Sequence, residues 1–221
     1  MSQRHLVRAA LAAVLALGTA ACGTDRGDDP TGRVVQGVVQ MLRPAAPPPP
    51  VTQEQIDQVL ATTDSAVALV EVEARAQQAI IVEIERNGPY ATYGTGDRRT
   101  MTFRDGVLTA TRGLGGDLMS TDAPGIRALI RNRESGAASR TMRFLDGEDL
   151  IEQYDLSCTI SRGEEERLAG GARALRLTET CSHEGATLTN SYLVDHKGHV
   201  LASRQWAGRF TGHLSIRQVR F

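Results

Sequence analysis

Residues 52–221 predict an all-β fold, an antiparallel β-barrel or barrel-like sandwich with a short N-terminal helix and a small helical insert. Three observations carry this expectation. From Ala66 onward, apolar residues recur with period two in short runs. Turn pairs such as Asp105-Gly106 and Lys197-Gly198 separate the runs, and helical spacing appears at only two places in this region. The pattern amounts to about nine or ten short strands, with no internal repeat of solenoid or propeller length.

The first element is helical. In "VTQEQIDQVLATT" (51–63), Thr52 stands as N-cap with Gln55 three residues on, a capping-box pattern, and Ile56, Val59 and Leu60 form the apolar stripe. Strand periodicity follows in "AVALVEVEAR" (66–75), with Val70 and Val72 on one parity. It continues in "QQAIIVEIER" (77–86), with Ile80, Val82 and Ile84 on one parity. "NGPYATYGTGD" (87–97) marks turns around a short tyrosine-containing segment. "RRTMTFRDGVLTATRG" (98–113) reads as two strands joined at Asp105-Gly106, a type I′ hairpin signal. "TDAPGIRALIRNR" (121–133) is the helical insert, with Asp122 expected to cap it and Pro124 tolerated in its first turn. "GAASRTMRFLDG" (136–147) is a further strand, and "EDLIEQYD" (148–155) leads into a hairpin that holds two cysteines. "TLTNSYLVDHKGHVLASRQWA" (187–207) is another hairpin. "GHLSIRQVRF" (212–221) closes the chain, its alternation slipping by one after Ile216, which predicts a bulge or a change of face.

The three cysteines divide by context. Arg4 and Arg8, the apolar run Ala9–Leu17 and the small residues Gly18–Ala21 describe a secretory signal, too short to remain as a membrane span. Cys22 follows Ala20-Ala21 directly, an arrangement that resembles the lipobox of bacterial lipoproteins. It predicts removal of residues 1–21 and lipidation of Cys22. Gly23 at the next position implies, by the same resemblance, sorting to the outer membrane. Several acyl chains on one residue suffice for stable anchoring. Residues 22–51 then form a lipid-anchored tether holding six of the eight prolines and ending in "RPAAPPPP", a semi-rigid polyproline II spacer. Val34–Leu42 is a possible short helix weakened by Gly37.

Cys158 and Cys181 remain, in an oxidising compartment. Leu156, Cys158 and Ile160 share one parity, and Leu175, Leu177 and Cys181 share another. A hairpin with the two cysteines opposite each other turns between Ala169 and Gly170 and puts both apolar sets on one face. A non-hydrogen-bonded pair brings the Cα atoms to about 4.5 Å, within reach of a disulfide.

Composition excludes some classes. Removal of Arg4 and Arg8 with the signal takes 25 basic residues to 23 against 26 acidic ones, a net charge of −3, so nothing global draws the protein to nucleic acid. There is no GxSxG elbow, HExxH or P-loop, and "GLGGDL" (113–118) lacks dinucleotide-loop spacing. Of five histidines only His196 and His199 are close, across a predicted turn, which reads as solvated turn chemistry rather than a metal site. Glu164, Glu165 and Glu166 fall in the expected cysteine-hairpin loop, and Asp146, Glu148 and Asp149 are the acids placed to flank a cleft. Trp206 and Tyr192 could form a small site, although core packing accounts for them as well. No catalytic residue, cofactor or metal is assigned.

Two stretches acquire meaning together. "YATYGTGDRRTMTFRDGVLTATRGLGGDL" (90–118) resembles the central signature of the YjbF/GfcB lipoprotein family through Gly106, Leu108, Thr111, Gly113, Leu114, Asp117 and Leu118, with Pro124 beyond. "NSYLVDHKGHVLASRQW" (190–206) is similar to its C-terminal pattern through Asn190, Tyr192, Asp195, Gly198, Val200, Ser203 and Gln205, with Leu193 replacing an aromatic residue. The resemblance implies an antiparallel β-barrel lipoprotein of the outer membrane, encoded with machinery for group 4 capsule or related exopolysaccharide and without enzymatic activity. The partners it implies are a polysaccharide or an export-machinery protein. Gly113, Leu114, Asp117 and Leu118 are the expected docking loop, since loops on a rigid barrel tend to bind. The alternatives are a periplasmic polysaccharide-modifying hydrolase, which requires two facing acids beside Trp206 or Tyr192, and a purely structural envelope protein.

Overall fold

A computed structural model describes residues 49–145, 150–168 and 171–221. Cys22, the signal segment, nearly all of the tether and the acids Asp146, Glu148 and Asp149 lie outside the described residues. The helix α1 (Gln53–Thr62) begins as its sequence dictates: Thr52 Oγ1 accepts from the Gln55 amide at 3.3 Å and the Gln55 side chain accepts from the Thr52 amide at 2.9 Å. It is tied down at both ends. The Val51 amide donates to Gln78, and the Arg220 guanidinium donates to the carbonyls of Leu60, Thr63 and Ser65.

Twelve strands follow rather than nine or ten: β1 (Val67–Val72), β2 (Gln77–Asn87), β3 (Tyr90–Gly94), β4 (Thr100–Arg104), β5 (Val107–Arg112), β6 (Leu118–Asp122), β7 (Gly136–Leu145), β8 (Ile151–Arg167), β9 (Arg173–His183), β10 (Ala186–Val194), β11 (Val200–Trp206) and β12 (His213–Arg220). Between β6 and β7 sits α2 (Pro124–Asn132). Every strand pairs antiparallel with its sequence neighbours except β5 with β6, and β1 pairs with β12. The result is an up-and-down meander rolled into a nearly closed, barrel-like sheet whose seam lies between β5 and β6. Because neighbouring strands alternate in direction, the β5–β6 and β11–β12 connections emerge at one end. The β4–β5 turn, α2 and the β10–β11 turn emerge at the other.

The interior is filled by one parity of each strand, including Val70 and Val72 of β1, Tyr93 of β3, Met101 and Phe103 of β4, and Leu214 and Ile216 of β12. In β2 the inward residues are Ala79 and Ile81, which register with Val70 and Ala68. Ile80, Val82 and Ile84 therefore face outward, and Ile84 is 62% exposed above Gly94. Three apolar residues of one parity did not identify the core face, because Ala79 and Ile81 make the other parity apolar as well and the register with β1 turns that one inward.

Local turn chemistry behaves as the residues dictate. Asp105 and Gly106 both adopt positive φ (51° and 77°), the type I′ condition. A Cβ on Gly106 would lie 2.5 Å from the Val200 side chain, so this position also needs glycine for space. Asp195 accepts from the Lys197 and His199 amides at 2.8 Å each and closes the β10–β11 turn. Asp122 ends β6 and does not cap α2. The N-cap is Ala123, with no side-chain hydrogen bond, and Pro124 fills the first helical position, where its missing N–H costs nothing. The slip in the last strand is a bulge: Val67 pairs with Arg220 while Ala68 pairs with Gln218.

In the β8–β9 ladder Cys158 faces Cys181 and the two form a disulfide with Cα atoms 4.0 Å apart. The expected register holds from Ser157 to Arg162 and then shifts at a bulge before Glu165. Glu165 and Glu166 consequently belong to β8 and not to a loop. They pair with Arg133 (2.7 Å) and with Arg176.

Candidate functional site

Two polar assemblies stand out, one inside the barrel and one at its seam. Inside, Arg140 of β7 and Glu179 of β9 are 2% and 0% exposed and form a bidentate pair, with both N–O distances 2.8 Å. Asn190 faces Glu179 across the β9–β10 ladder and donates to Oε2 at 2.9 Å. The Tyr192 hydroxyl donates to the same oxygen at 2.8 Å and accepts from Arg140 at 3.1 Å. Burial and the neighbouring Glu179 charge push the Tyr192 phenol well above its ordinary pKa, which keeps it a donor. For Arg140, burial opposes the charge, but Tyr192 and Glu179 outweigh it and hold the guanidinium above its usual value. Glu179 Oε1 also lies 3.2 Å from the disulfide sulfur of Cys181.

The network extends into both signature stretches. Asn190 accepts from the Trp206 amide at 2.7 Å. Gln205 accepts from the Leu108 amide at 2.8 Å and donates to the Gly106 carbonyl and to Ser203, both at 2.9 Å. Segments about a hundred residues apart in sequence are thus hydrogen-bonded through side chains they both need. Burial without these partners would cost several kcal/mol per polar group.

At the seam, side chains take over where the strand ladder stops. Thr111 Oγ1 donates to Asp117 and accepts from the Leu118 amide, both at 3.0 Å. Asp117 also accepts from the Gly113 and Leu114 amides at 2.7 and 3.0 Å. Arg112 reaches across to the Leu118 carbonyl at 3.0 Å. These bonds satisfy the Leu118 amide and carbonyl at the edge of β6 and the Gly113 and Leu114 amides of the loop, where no ladder partner serves them. Leu114 and Leu118 of the expected docking loop are buried, whereas Gly113 and Gly115 are exposed.

Beside the seam, the β11–β12 loop packs onto the β5–β6 loop. Thr211 donates to the Gly115 carbonyl at 3.0 Å, and a Cβ on Gly116 would lie 2.5 Å from the Phe210 ring. Phe210 is nevertheless 69% exposed. It separates two concavities. A recess of about 100 Å³ is lined by Phe144, Tyr154, Trp206, Glu152 and Arg209, and a groove of about 630 Å³ by Arg75, Arg112, Met119 and Leu145. Phe144, Tyr154 and Trp206 meet edge to face, with centroids 5.5–6.1 Å apart. Glu152 accepts from Tyr154 at 2.6 Å and from Arg209 at 2.9 Å. Tyr192 and Trp206 therefore do not share a site: the first is sealed in the barrel and the second opens to this recess, where Glu152 is the one carboxylate among the described lining residues.

His199 leans on Asp195 at 3.2 Å in the exposed turn. Burial works against ionisation of Asp195, but the His199 and Lys197 amides and the His199 ring hold its pKa below the ordinary carboxylate value. The three-residue cluster Cys158, Glu179 and Cys181 has the proximity of metal ligands, but its sulfurs are joined in the disulfide. Arg140 and Glu179 belong to none of the motifs read from the sequence. Their signal was a charged residue on an apolar parity: Arg140 with Met142 and Phe144, and Glu179 between Leu177 and Cys181.

Comparison with known proteins agrees with this architecture. No curated protein matches the chain. The crystal structure of the hypothetical lipoprotein YmcC from Escherichia coli (K12) superposes with a TM-score of 0.64 at 15% identity, covering 89% of this chain and 98% of that one, which shows a shared fold. The sequence family described as group 4 capsule polysaccharide lipoprotein GfcB, YjbF, matches residues 33–219. The two stretches that resemble that family are the ones joined by Gln205 in the barrel, and the chain belongs to the YjbF family.

Proposed function

We propose that this protein is anchored through lipidated Cys22 to the periplasmic face of the outer membrane and serves as a non-enzymatic accessory factor in exopolysaccharide or capsule production or export. The observation that carries this reading is where the family's signature polar groups go. Asn190, Tyr192, Ser203 and Gln205 bond to one another, to backbone groups and to the Arg140–Glu179 pair, and Thr111 and Asp117 close the seam. Groups satisfied in this way specify a rigid barrel rather than a reaction centre. The loops of that barrel are the surfaces through which it would engage a partner.

Deletion of the gene is expected to lower the amount or length of surface polysaccharide, with restoration by the wild-type chain. The Cys22→Ala variant is expected to lose labelled palmitate and to leave the membrane fraction. Unchanged polysaccharide in the deletion strain would overturn the accessory role. Unchanged labelling and fractionation of Cys22→Ala would overturn the anchor.

A further inference from the structure

We propose that the barrel end bearing Phe210 binds an acidic sugar unit, stacked on the Phe210 ring with its carboxylate held by Arg75 and Arg112; this rests on the polysaccharide role above and names the ligand class. A phenylalanine on a six-residue connection that is 69% exposed contributes little to the core. Yet its position is strongly determined. The Ala207 amide donates to Gly212 at 2.9 Å, the Gly212 amide to Gly208 at 2.8 Å, and Thr211 to Gly115 at 3.0 Å, while Gly116 makes room for the ring. These bonds hold the loop backbone that presents the ring to solvent.

The surroundings select the occupant. The adjoining groove, about 630 Å³, is of ligand-site size and mostly apolar, with Met119 and Leu145 beside the ring. A pyranose offers an apolar C–H face to such a ring and a rim of hydroxyls to charged side chains. Arg75 and Arg112 donate to the carbonyls of Leu114 and Leu118 at 3.0 Å each, and neither is paired with a carboxylate among the described residues. Asp117 is engaged by Thr111 and the loop amides, so the groove carries two cations against one carboxylate. A planar guanidinium matches a sugar carboxylate in geometry as well as charge. On the far side of Phe210, the Glu152–Arg209 pair and the Trp206 edge border a second recess, so the next unit of a chain meets polar partners and an aromatic edge.

Trp206 is the only tryptophan and borders the site, so its fluorescence reports occupancy. The full lipidated chain in detergent micelles is titrated with galacturonate oligomers, with matched neutral maltose oligomers, and with oligomers of the surface polysaccharide from its own cells. Calorimetry runs in parallel. The expected result is saturable binding of an acidic oligomer, no binding of the maltose series, and about tenfold weakening in each of Phe210→Ala and Arg75→Gln. Unaltered unfolding temperatures would show that both variants remain folded, and Ile84→Ala on the remote outer face should bind as wild type. Absence of binding to both acidic ligand sets, or undiminished binding by Phe210→Ala, would overturn the site. Equal binding of maltose oligomers would overturn the choice of an acidic ligand. Failure here together with polysaccharide loss in the deletion strain removes this inference and leaves the accessory role. Binding here with intact polysaccharide in that strain does the reverse.

Discussion

Replacing Arg140 with Met is expected to be among the most damaging single changes in this protein. The substitution keeps the side-chain volume close but removes both guanidinium bonds to Glu179 and the one to Tyr192. Glu179, 0% exposed, then keeps only Tyr192 and Asn190 as donors and has no counter-charge. Breaking one side of a buried ion pair costs about 3–5 kcal/mol, a large part of the roughly 5–15 kcal/mol that holds a domain folded. For a domain of this size that corresponds to a fall of roughly 6–20 °C in Tm. The double variant Arg140→Met/Glu179→Leu removes both charges, leaving mainly Tyr192 and Asn190 under-satisfied at about 1–3 kcal/mol each. Its loss should therefore be smaller than the sum of the losses in Arg140→Met and Glu179→Leu, because the unpaired buried charge that each single variant leaves is absent from the double variant. Urea unfolding followed by Trp206 fluorescence and far-ultraviolet circular dichroism, without reductant, measures all four corners of the cycle. A loss below about 1 kcal/mol for Arg140→Met, or strictly additive effects, would show that the pair is not buried as described.

Three further outcomes follow from the same geometry. Cys158→Ser/Cys181→Ser should lower stability by about 3 kcal/mol, since the disulfide closes a 23-residue separation; a calorimetric Tm within a degree of wild type would contradict this. Gly106→Ala meets both positive φ and a 2.5 Å approach to Val200, whereas Gly88→Ala meets positive φ alone, so the first should be destabilised clearly more in paired urea curves, and equal losses would refute the assigned contact. Acid should weaken the fold in two stages. Burial lowers the pKa of His213 below 6.5, so the unfolded chain takes up that proton first and stability falls as pH drops below the ordinary histidine value. Glu73, lowered chiefly by the Arg204 hydrogen bond against the opposing effect of burial, and Asp195 add a second loss below the ordinary carboxylate pKa. Urea midpoints at neutral, mildly acidic and strongly acidic pH test the order, and a midpoint that rises on acidification would refute it.

Features set by a few consecutive residues were legible without coordinates. The capping box at Thr52 and Gln55, the Asp105-Gly106 turn, the Asp195–His199 turn and the bulge in the last strand each depend on short-range chemistry. The cysteine register also belongs here, because one hairpin with two alternating strands admits few pairings. What alternation could not decide was which parity faces inward when both are apolar, as in β2. Nor could it give the strand count where β3 and β6 are only five residues long.

By itself, then, the sequence determined the class of fold, the turns, the disulfide partners and the family, all properties of neighbouring residues or of fixed motif spacing. Only the tertiary structure decided that the ring joins β1 to β12 and opens between β5 and β6, and that Arg140, Glu179 and the two signature stretches share one interior network. It likewise brought Phe210 beside Arg75 and Arg112. The physical reason is range. A buried charge is tolerable only when a partner arrives from another strand, and here that partner is 39 residues away in the chain and fixed by ladder registers that no local pattern encodes.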